Sequence, residues 1–285
     1  MAIQREQAER IASVLSEGLP YIQKFNEKII VIKYGGAAMT ERLLKKGFAR
    51  DIALMKLVGM RPVIVHGGGP QIAKELKKKG IISKFSSGNR KTDKKTMMVV
   101  KRVLGRQINS EIVSLINSYG ARAKGLNYTN SSIIQAIKLS SKVDLGYVGK
   151  VRRIKLTELK QTIRNEQIPV ISPIGYGKDD LLYNINADLV AAKVAQSLKA
   201  EKLILLTDIE GVVNDKKKLM TNISLNEATK ILKSGIVKGG MVPKLTSAIE
   251  AKSNGVGTSH IIDGRIPNAV LLEVLTEDGV GTLIN

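Results

Sequence analysis

Short apolar, β-branched runs at residues 29–32, 62–65, 169–172, 202–206 and 259–262 alternate with stretches of helical periodicity such as 187–198, 226–234 and 244–253. This alternation constrains the fold more than any other feature. Continuous apolar strands need cover on both faces, and amphipathic helices between them supply it. The chain therefore reads as α/β, a three-layer αβα sandwich around a mainly parallel central sheet. Between 121 and 154 the rhythm changes to shorter pieces, 133–137 and 147–151, broken by Asn, Ser and Gly. That pattern predicts antiparallel hairpins set into the sheet. No Pro/Ser-rich linker, repeat or low-complexity tract interrupts the chain, so the expectation is one continuous fold with two lobes, 29–200 and 201–285, behind an N-terminal helix within 1–28.

The N-terminal segment carries Ile11, Val14, Leu15, Leu19, Ile22 and Phe25 at three- and four-residue steps, one apolar stripe that Gly18 and Pro20 should kink midway. Such a stripe needs cover, either from its own domain or from a second copy in an oligomer. The segment lacks the apolar core of a signal peptide, and Glu6, Glu9, Glu17 and Glu27 argue against a transit peptide.

Of the 285 residues, 43% are hydrophobic, enough to fill a core and to exclude a disordered chain. Apolar runs such as 189–195, interrupted by Lys193, fall far short of the ~20 residues of a membrane span, so a soluble protein is expected. Cysteine is absent and the histidines are His66 and His260 alone, which excludes disulfides, thiolate nucleophiles and Cys- or His-rich metal sites. The net charge of +21 points to anionic partners, or else to coding bias, since lysine and isoleucine are equally abundant at 33 each. With 4% aromatic residues, no Trp and no helix-turn-helix or RNA-binding signature, the chain does not read as a nucleic-acid-binding protein.

Chemistry concentrates at strand ends. Lys33-Tyr34-Gly35-Gly36 follows the first strand and His66-Gly67-Gly68-Gly69-Pro70 the second. In a parallel sheet both loops emerge at the C-terminal edge, where ligands of open α/β sheets bind. Consecutive glycines let backbone N–H groups approach a phosphate or carboxylate, and a helix opening at Pro70 or Gln71 adds the positive end of its dipole. Neither loop matches a Walker A or a dinucleotide fingerprint. In Asn184-Ile185-Asn186-Ala187-Asp188, three polar side chains exceed what one helix cap requires. Leu205-Leu206-Thr207-Asp208 ends an apolar strand with a hydroxyl and a carboxylate. Gly239-Gly240-Met241-Val242-Pro243-Lys244 opens a helix with a lysine that its dipole disfavours, so an anion or an aspartate should lie beside Lys244.

The order KYGG, HGGGP, SGNRKTD, YNINAD, LLTDIEGV and GGMVPK, together covering about 29–285, resembles the acetylglutamate kinases of the amino acid kinase family. The N-terminal helix and the run 259–281 further resemble the arginine-inhibited type, in which such helices interlace dimers into a hexameric ring, a trimer of dimers. The resemblance implies phosphoryl transfer from ATP, with Mg²⁺ carried on its phosphates and no dedicated protein metal site, to the side-chain carboxylate of N-acetyl-L-glutamate, the second step of arginine biosynthesis. It assigns Lys33 and Lys244 to the transferring phosphoryl group and Asp188 to holding them. Gly68, Gly69, Arg90 and Asn184 fall to the acceptor, and Gly35, Gly36, Thr207 and Asp208 to the nucleotide. Tyr21, Glu277 and Gly279 fall to an allosteric L-arginine site between the N-terminal helix and the C-terminal lobe. Arginine-sensitive relatives in photosynthetic lineages also bind the signalling protein PII. The composition suits either an organelle-encoded enzyme of the plastid stroma or a bacterial cytoplasmic one. Rival acceptors on the same fold are glutamate, aspartate, carbamate and uridylate.

The chain departs from the resemblance at Asn127-Tyr128-Thr129-Asn130-Ser131, where a glycine-containing Ser-Gly-Lys-Asp-Gly hairpin is usual; the expectation is a changed surface hairpin. Asn89 and Lys91 stand where apolar residues are usual and could soften the acceptor pocket.

Overall fold

The computed structural model describes residues 4, 6, 9, 12, 13, 16–86, 88–277 and 279–285. Its strands are β1 (Ile29–Tyr34), β2 (Arg61–His66), β3 (Phe85–Ser86), β4 (Asn89–Arg90), β5 (Ala123–Leu126), β6 (Ile134–Lys138), β7 (Gly149–Ile154), β8 (Ile168–Ile171), β9 (Ile174–Tyr176), β10 (Leu182–Asn184), β11 (Lys202–Thr207), β12 (Asn222–Ile223), β13 (Thr258–Asp263) and β14 (Gly281–Ile284). The helices that matter below are α1 (Leu19–Phe25), α2 (Arg42–Leu57), α3 (Gly69–Lys78), α4 (Lys94–Arg102), α5 (Asn109–Asn117), α6 (Leu156–Arg164), α7 (Ala187–Leu198), α8 (Leu225–Ser234), α9 (Met241–Ser253) and α10 (Ala269–Leu275).

An eight-stranded sheet in the order β12-β14-β13-β11-β1-β2-β8-β5 runs through the whole chain, parallel except for the β13–β14 pair. Alternation along each strand sends residues to opposite faces. Ile30 and Ile32 of β1 join one buried cluster with Phe48, Ile52 and Met55 of α2. Val31 joins a second cluster with Val190, Val194 and Leu198 of α7 and Leu245 and Ala248 of α9. The predicted α/β class is correct.

The middle of the chain differs from expectation. Rather than being set into the main sheet, β6 and β7 form a hairpin in a separate four-stranded sheet, order β10-β9-β6-β7. Ala123–Leu126 is no hairpin arm at all: β5 is the parallel edge strand of the main sheet, paired with β8. Its short Ala-Lys-Gly-Leu sequence lacks the β-branched run that marks the other strands.

At the N-terminus, Gly18 separates the helical residues 16–17 from α1, which restarts with Pro20 in its first turn, where a missing N–H costs nothing. Gly18 itself keeps right-handed helical backbone angles, and its carbonyl accepts the Ile22 N–H at 3.0 Å. Phe25 is buried and Tyr21 packs against the same cluster, whereas Leu19 is exposed. Ile11, Val14 and Leu15 of the expected stripe lie outside the described residues.

Candidate active site

The C-terminal edges of β1, β2 and β11 open into one cleft of about 560 Å³. Alternation places Lys33 on the same face as Val31, under α7 and α9, and Lys33 is only 7% exposed. Asp188 arrives from the first turn of α7. Asn186 is the cap of that helix, its side chain accepting the Asp188 N–H at 2.8 Å. One of the three polar residues thus serves the helix, and Asn184 and Asp188 remain free to face the cleft.

Lys244 reaches the same carboxylate from α9. Its Nζ stands 3.1 Å from both Asp188 oxygens, and the Lys33 Nζ stands 3.2 Å from Oδ1. The aspartate anticipated beside Lys244 is therefore Asp188. Burial works to raise the Asp188 carboxyl, but the two ammonium groups prevail and hold it below the usual range. Burial, and then the neighbouring Lys33, push Lys244 down to about 8 against the pull of Asp188. Two cations thus share one anion in a dry corner, a net positive charge facing the cleft.

Arg90 comes from the two-stranded β3–β4 hairpin. Its guanidinium donates to the Gly69 carbonyl at 3.0 Å and to the Ser83 hydroxyl, and lies 4.6 Å from the centre of the Phe85 ring. Burial lowers its pKa. Asn184, at the end of β10, donates to Thr92 Oγ1 at 3.2 Å, and that hydroxyl donates to the Arg90 carbonyl at 2.8 Å, so two cleft residues from distant segments are joined through Thr92.

The first glycine loop is shaped by Asp208. Its Oδ1 accepts the Ala37 N–H at 2.5 Å, capping the short 3₁₀ turn Gly36–Met39. Gly36 has φ +70°, and an added Cβ would sit 2.1 Å from Asp208 Oδ1, so only glycine fits. In the second loop Gly68 has φ +159° and is pressed against Leu104 and Ile108. These two belong to a π-helical segment, Val103–Ile108, between α4 and α5. Sequence periodicity gives no sign of that extra residue per turn.

Lys33, Gly35, Gly36, Gly68, Gly69, Arg90, Asn184, Asp188, Thr207, Asp208 and Lys244, all anticipated as site residues, line this one cleft. Phe85, Asn89, Leu104 and Pro173 line it as well and were not anticipated as site residues; Asn89 alone was singled out, as a departure from the usual pattern. Lys91, singled out with it, is exposed and does not line the cleft.

Tyr21, Glu277 and Gly279 lie elsewhere. Tyr21 is half-buried on α1, which packs against α10, while Glu277 and Gly279 are exposed in the segment after α10. Gly279 abuts Glu273 of α10: an added Cβ would lie 2.6 Å from its Oε2. Glu273 is buried and within 2.5 Å of His260 Nδ1, and Lys202 Nζ stands 3.2 Å from His260 Nε2. This polar group has no motif in the sequence that would announce it.

The loop at 127–131 is more than a surface hairpin. Asn127 and Asn130 hold it with bonds to its own backbone, while the Tyr128 ring lies against Gly105 of the π segment, where a Cβ would approach to 2.3 Å.

The amino acid kinase family model matches residues 28–263. The acetylglutamate kinase of Marinobacter nauticus is 50% identical over 97% of this chain and 99% of its own length. That of Ruthia magnifica subsp. Calyptogena magnifica is 53% identical over 96% of this chain and 95% of its own. Among solved structures, smu.665 from Streptococcus mutans superposes with a TM-score of 0.78 at 31% identity, over 90% of this chain and 98% of that one. The N-acetylglutamate synthase of Neisseria gonorrhoeae gives a TM-score of 0.87 at 23% identity over 96% of this chain; this chain spans only 63% of the synthase, so the likeness speaks for the fold. From motif order, sheet topology and full-length similarity alike, it follows that the chain belongs to the amino acid kinase family, with the acetylglutamate kinases.

Proposed function

We propose that this chain transfers the γ-phosphoryl group of ATP to the side-chain carboxylate of N-acetyl-L-glutamate, giving N-acetyl-L-glutamyl 5-phosphate and ADP in the second step of arginine biosynthesis. The observation that carries the reading is the buried Lys33–Asp188–Lys244 group at the meeting point of two glycine loops. An acceptor carboxylate oxygen attacks phosphorus in line while the bond to the β-phosphate oxygen breaks, so the protein must align two anions and neutralise the charge on the transferring group. Lys33 and Lys244 supply that charge from two directions. Asp188 fixes their positions and leaves them one net positive charge. On the acceptor side, Gly68 and Gly69 offer backbone N–H groups and Arg90 a fork suited to the α-carboxylate, with Asn184 beside it. Gly35, Gly36, Thr207 and Asp208 face the nucleotide.

Mg²⁺ is assigned to the ATP phosphates, where it would neutralise charge. Asp188 and Asp208 are the cleft carboxylates nearest to hand, and both are already engaged, by lysines and by the Ala37 N–H respectively.

Turnover of ATP measured with each acceptor tests the reading: N-acetyl-L-glutamate should be preferred, and preference for aspartate or uridylate would overturn it. Feedback inhibition by arginine at Tyr21, Glu277 and Gly279, with a hexamer built through the N-terminal helix, is the finer proposal. It is supported by the packing of α1 on α10 and by the exposed carboxylate of Glu277, which suits a guanidinium. The gonococcal synthase of the same fold has been crystallised with L-arginine. Removing residues 1–26 should leave dimers that arginine no longer inhibits; a hexamer still inhibited would refute this use of the helix. Bacterial sources of the relatives support a cytoplasmic site of action over the plastid stroma. Regulation by PII is the remaining proposal, which a pull-down with PII tests directly: absence of complex removes it.

A further inference from the structure

His66 closes β2, is fully buried, and is not among the residues that line the cleft. Alternation turns it to the face opposite Val65, toward α5. Its Nδ1 lies 2.8 Å from the Gly67 carbonyl oxygen and its Nε2 lies 3.2 Å from Asn109 Nδ2. The same Asn109 nitrogen donates to the Val170 carbonyl at 2.9 Å, and Asn109 Oδ1 accepts from Asn127 Nδ2 at 3.2 Å.

The protons on this chain of groups can be assigned from its ends. A carbonyl oxygen only accepts, so the Asn109 amide nitrogen must face Val170, and its second hydrogen goes to His66 Nε2. The ring then carries its own hydrogen on Nδ1 and donates it to Gly67. An imidazolium would set a second N–H against the Asn109 amide hydrogens, so the arrangement selects a neutral ring.

The direction of the next N–H follows from peptide geometry. Every described peptide bond is trans, and a trans peptide sends its C=O and N–H to opposite sides. Drawing the Gly67 carbonyl toward the buried ring therefore turns the Gly68 N–H away from it, on the side where Gly67, Gly68 and Gly69 line the cleft. Gly68 is also the N-cap of α3, where helix geometry leaves N–H groups without intrahelical partners.

We propose that His66, oriented by Asn109, is a positioning residue that presents the Gly68 N–H to the anionic acceptor. This rests on the acceptor reading of the glycine loop given above. Asn127 extends the chain of hydrogen bonds into the loop that departs from the family pattern.

The test is steady-state kinetics of the full chain, with N-acetyl-L-glutamate and ATP varied in turn, for the wild type, His66→Leu, His66→Asn and Asn109→Leu, with thermal unfolding midpoints in parallel. His66→Leu should raise the acceptor KM about tenfold and leave the ATP KM within about twofold. His66→Asn, whose amide can donate to the Gly67 carbonyl, should recover most of the loss. Asn109→Leu should reproduce the selective rise and stands in if His66→Leu does not fold. An unchanged acceptor KM, equal rises in both KM values, or an His66→Asn variant no better than His66→Leu overturns the proposal. A wild type that does not phosphorylate N-acetyl-L-glutamate would instead sink the acceptor reading, so the two failures are distinguishable.

Discussion

At Gly36 the backbone is pressed against the carboxylate of Asp208, whereas at Gly68 it is pressed against methyl groups of Leu104 and Ile108. The two glycine loops leave adjacent strands and are tied together, the Gly67 N–H donating to the Tyr34 carbonyl at 2.7 Å. Yet the first is shaped by a carboxylate, and the second by apolar contact and by hydrogen bonds that include the Arg90 guanidinium on the Gly69 carbonyl. The first loop already holds an anion at the N–H of Ala37, so a phosphate arriving there meets a carboxylate as well as Lys33. The tight contacts of the second are with apolar side chains, and on our proposal the buried His66 sets the direction of the Gly68 N–H. On the proposed assignment, a change in the first loop should be felt by the nucleotide and a change in the second by the acceptor.

The comparison is broken most severely at the lysines that span both loops. Lys33→Ala or Lys244→Ala should lower kcat by about 10²- to 10³-fold with modest change in either KM, as removal of a transition-state donor does. Unchanged kcat in both variants would remove their assigned roles. Next come the glycines. Gly36→Ala, strained at φ +70° and facing Asp208, should raise the ATP KM about tenfold, and Gly68→Ala should do the same to the acceptor KM. If each variant affects both substrates equally, the division between the loops fails.

The smallest effect is the pH response of the free enzyme. Because burial and Lys33 push Lys244 down to about 8, kcat/KM should fall about fourfold between pH 7 and pH 8.5 as its charge is lost. Stability moves the other way. A folded-state value below the ordinary 10.5 means that the unfolded chain binds more protons between the two, so this group's contribution to stability rises with pH over that window. Measuring activity and unfolding midpoints across pH 7–10 checks both signs, and Lys244→Met should flatten both.

How legible this was in the sequence depended on how local the cause is. The span of α7 is readable at 187–198 because its cap, Asn186, and its apolar face are all contiguous. β1 extends beyond its apolar run to Tyr34, and Lys33 within it is buried beside Asp188, a partner far along the chain that no window of residues reveals. The polar lining of the cleft was legible because Lys33, Asn184, Asp188, Thr207 and Lys244 sit at strand ends or helix starts, whereas Phe85, Leu104 and Pro173 carry no such signature. His66 was not, since a histidine closing an apolar strand looks the same whether it positions a neighbour or merely fills space. Nor was the second sheet, where β6 and β7 meet β9 and β10 only after the intervening helix α6 and strand β8 are in place.

The strand order also sets a timetable for the chain as it is made. β1 sits between β2 and β11, so one of its two edges is paired early and the other waits for residues 202–207. Ala37 and Asp208, joined in the finished protein, are 171 residues apart in the chain. Until the later half emerges from the ribosome, Ile30, Val31 and Ile32 present an apolar strand with an open edge, the kind of surface that recruits other chains. The cleft needs Lys244 as well, on the still later helix Met241–Ser253, so the open edge can be closed before the working site is complete.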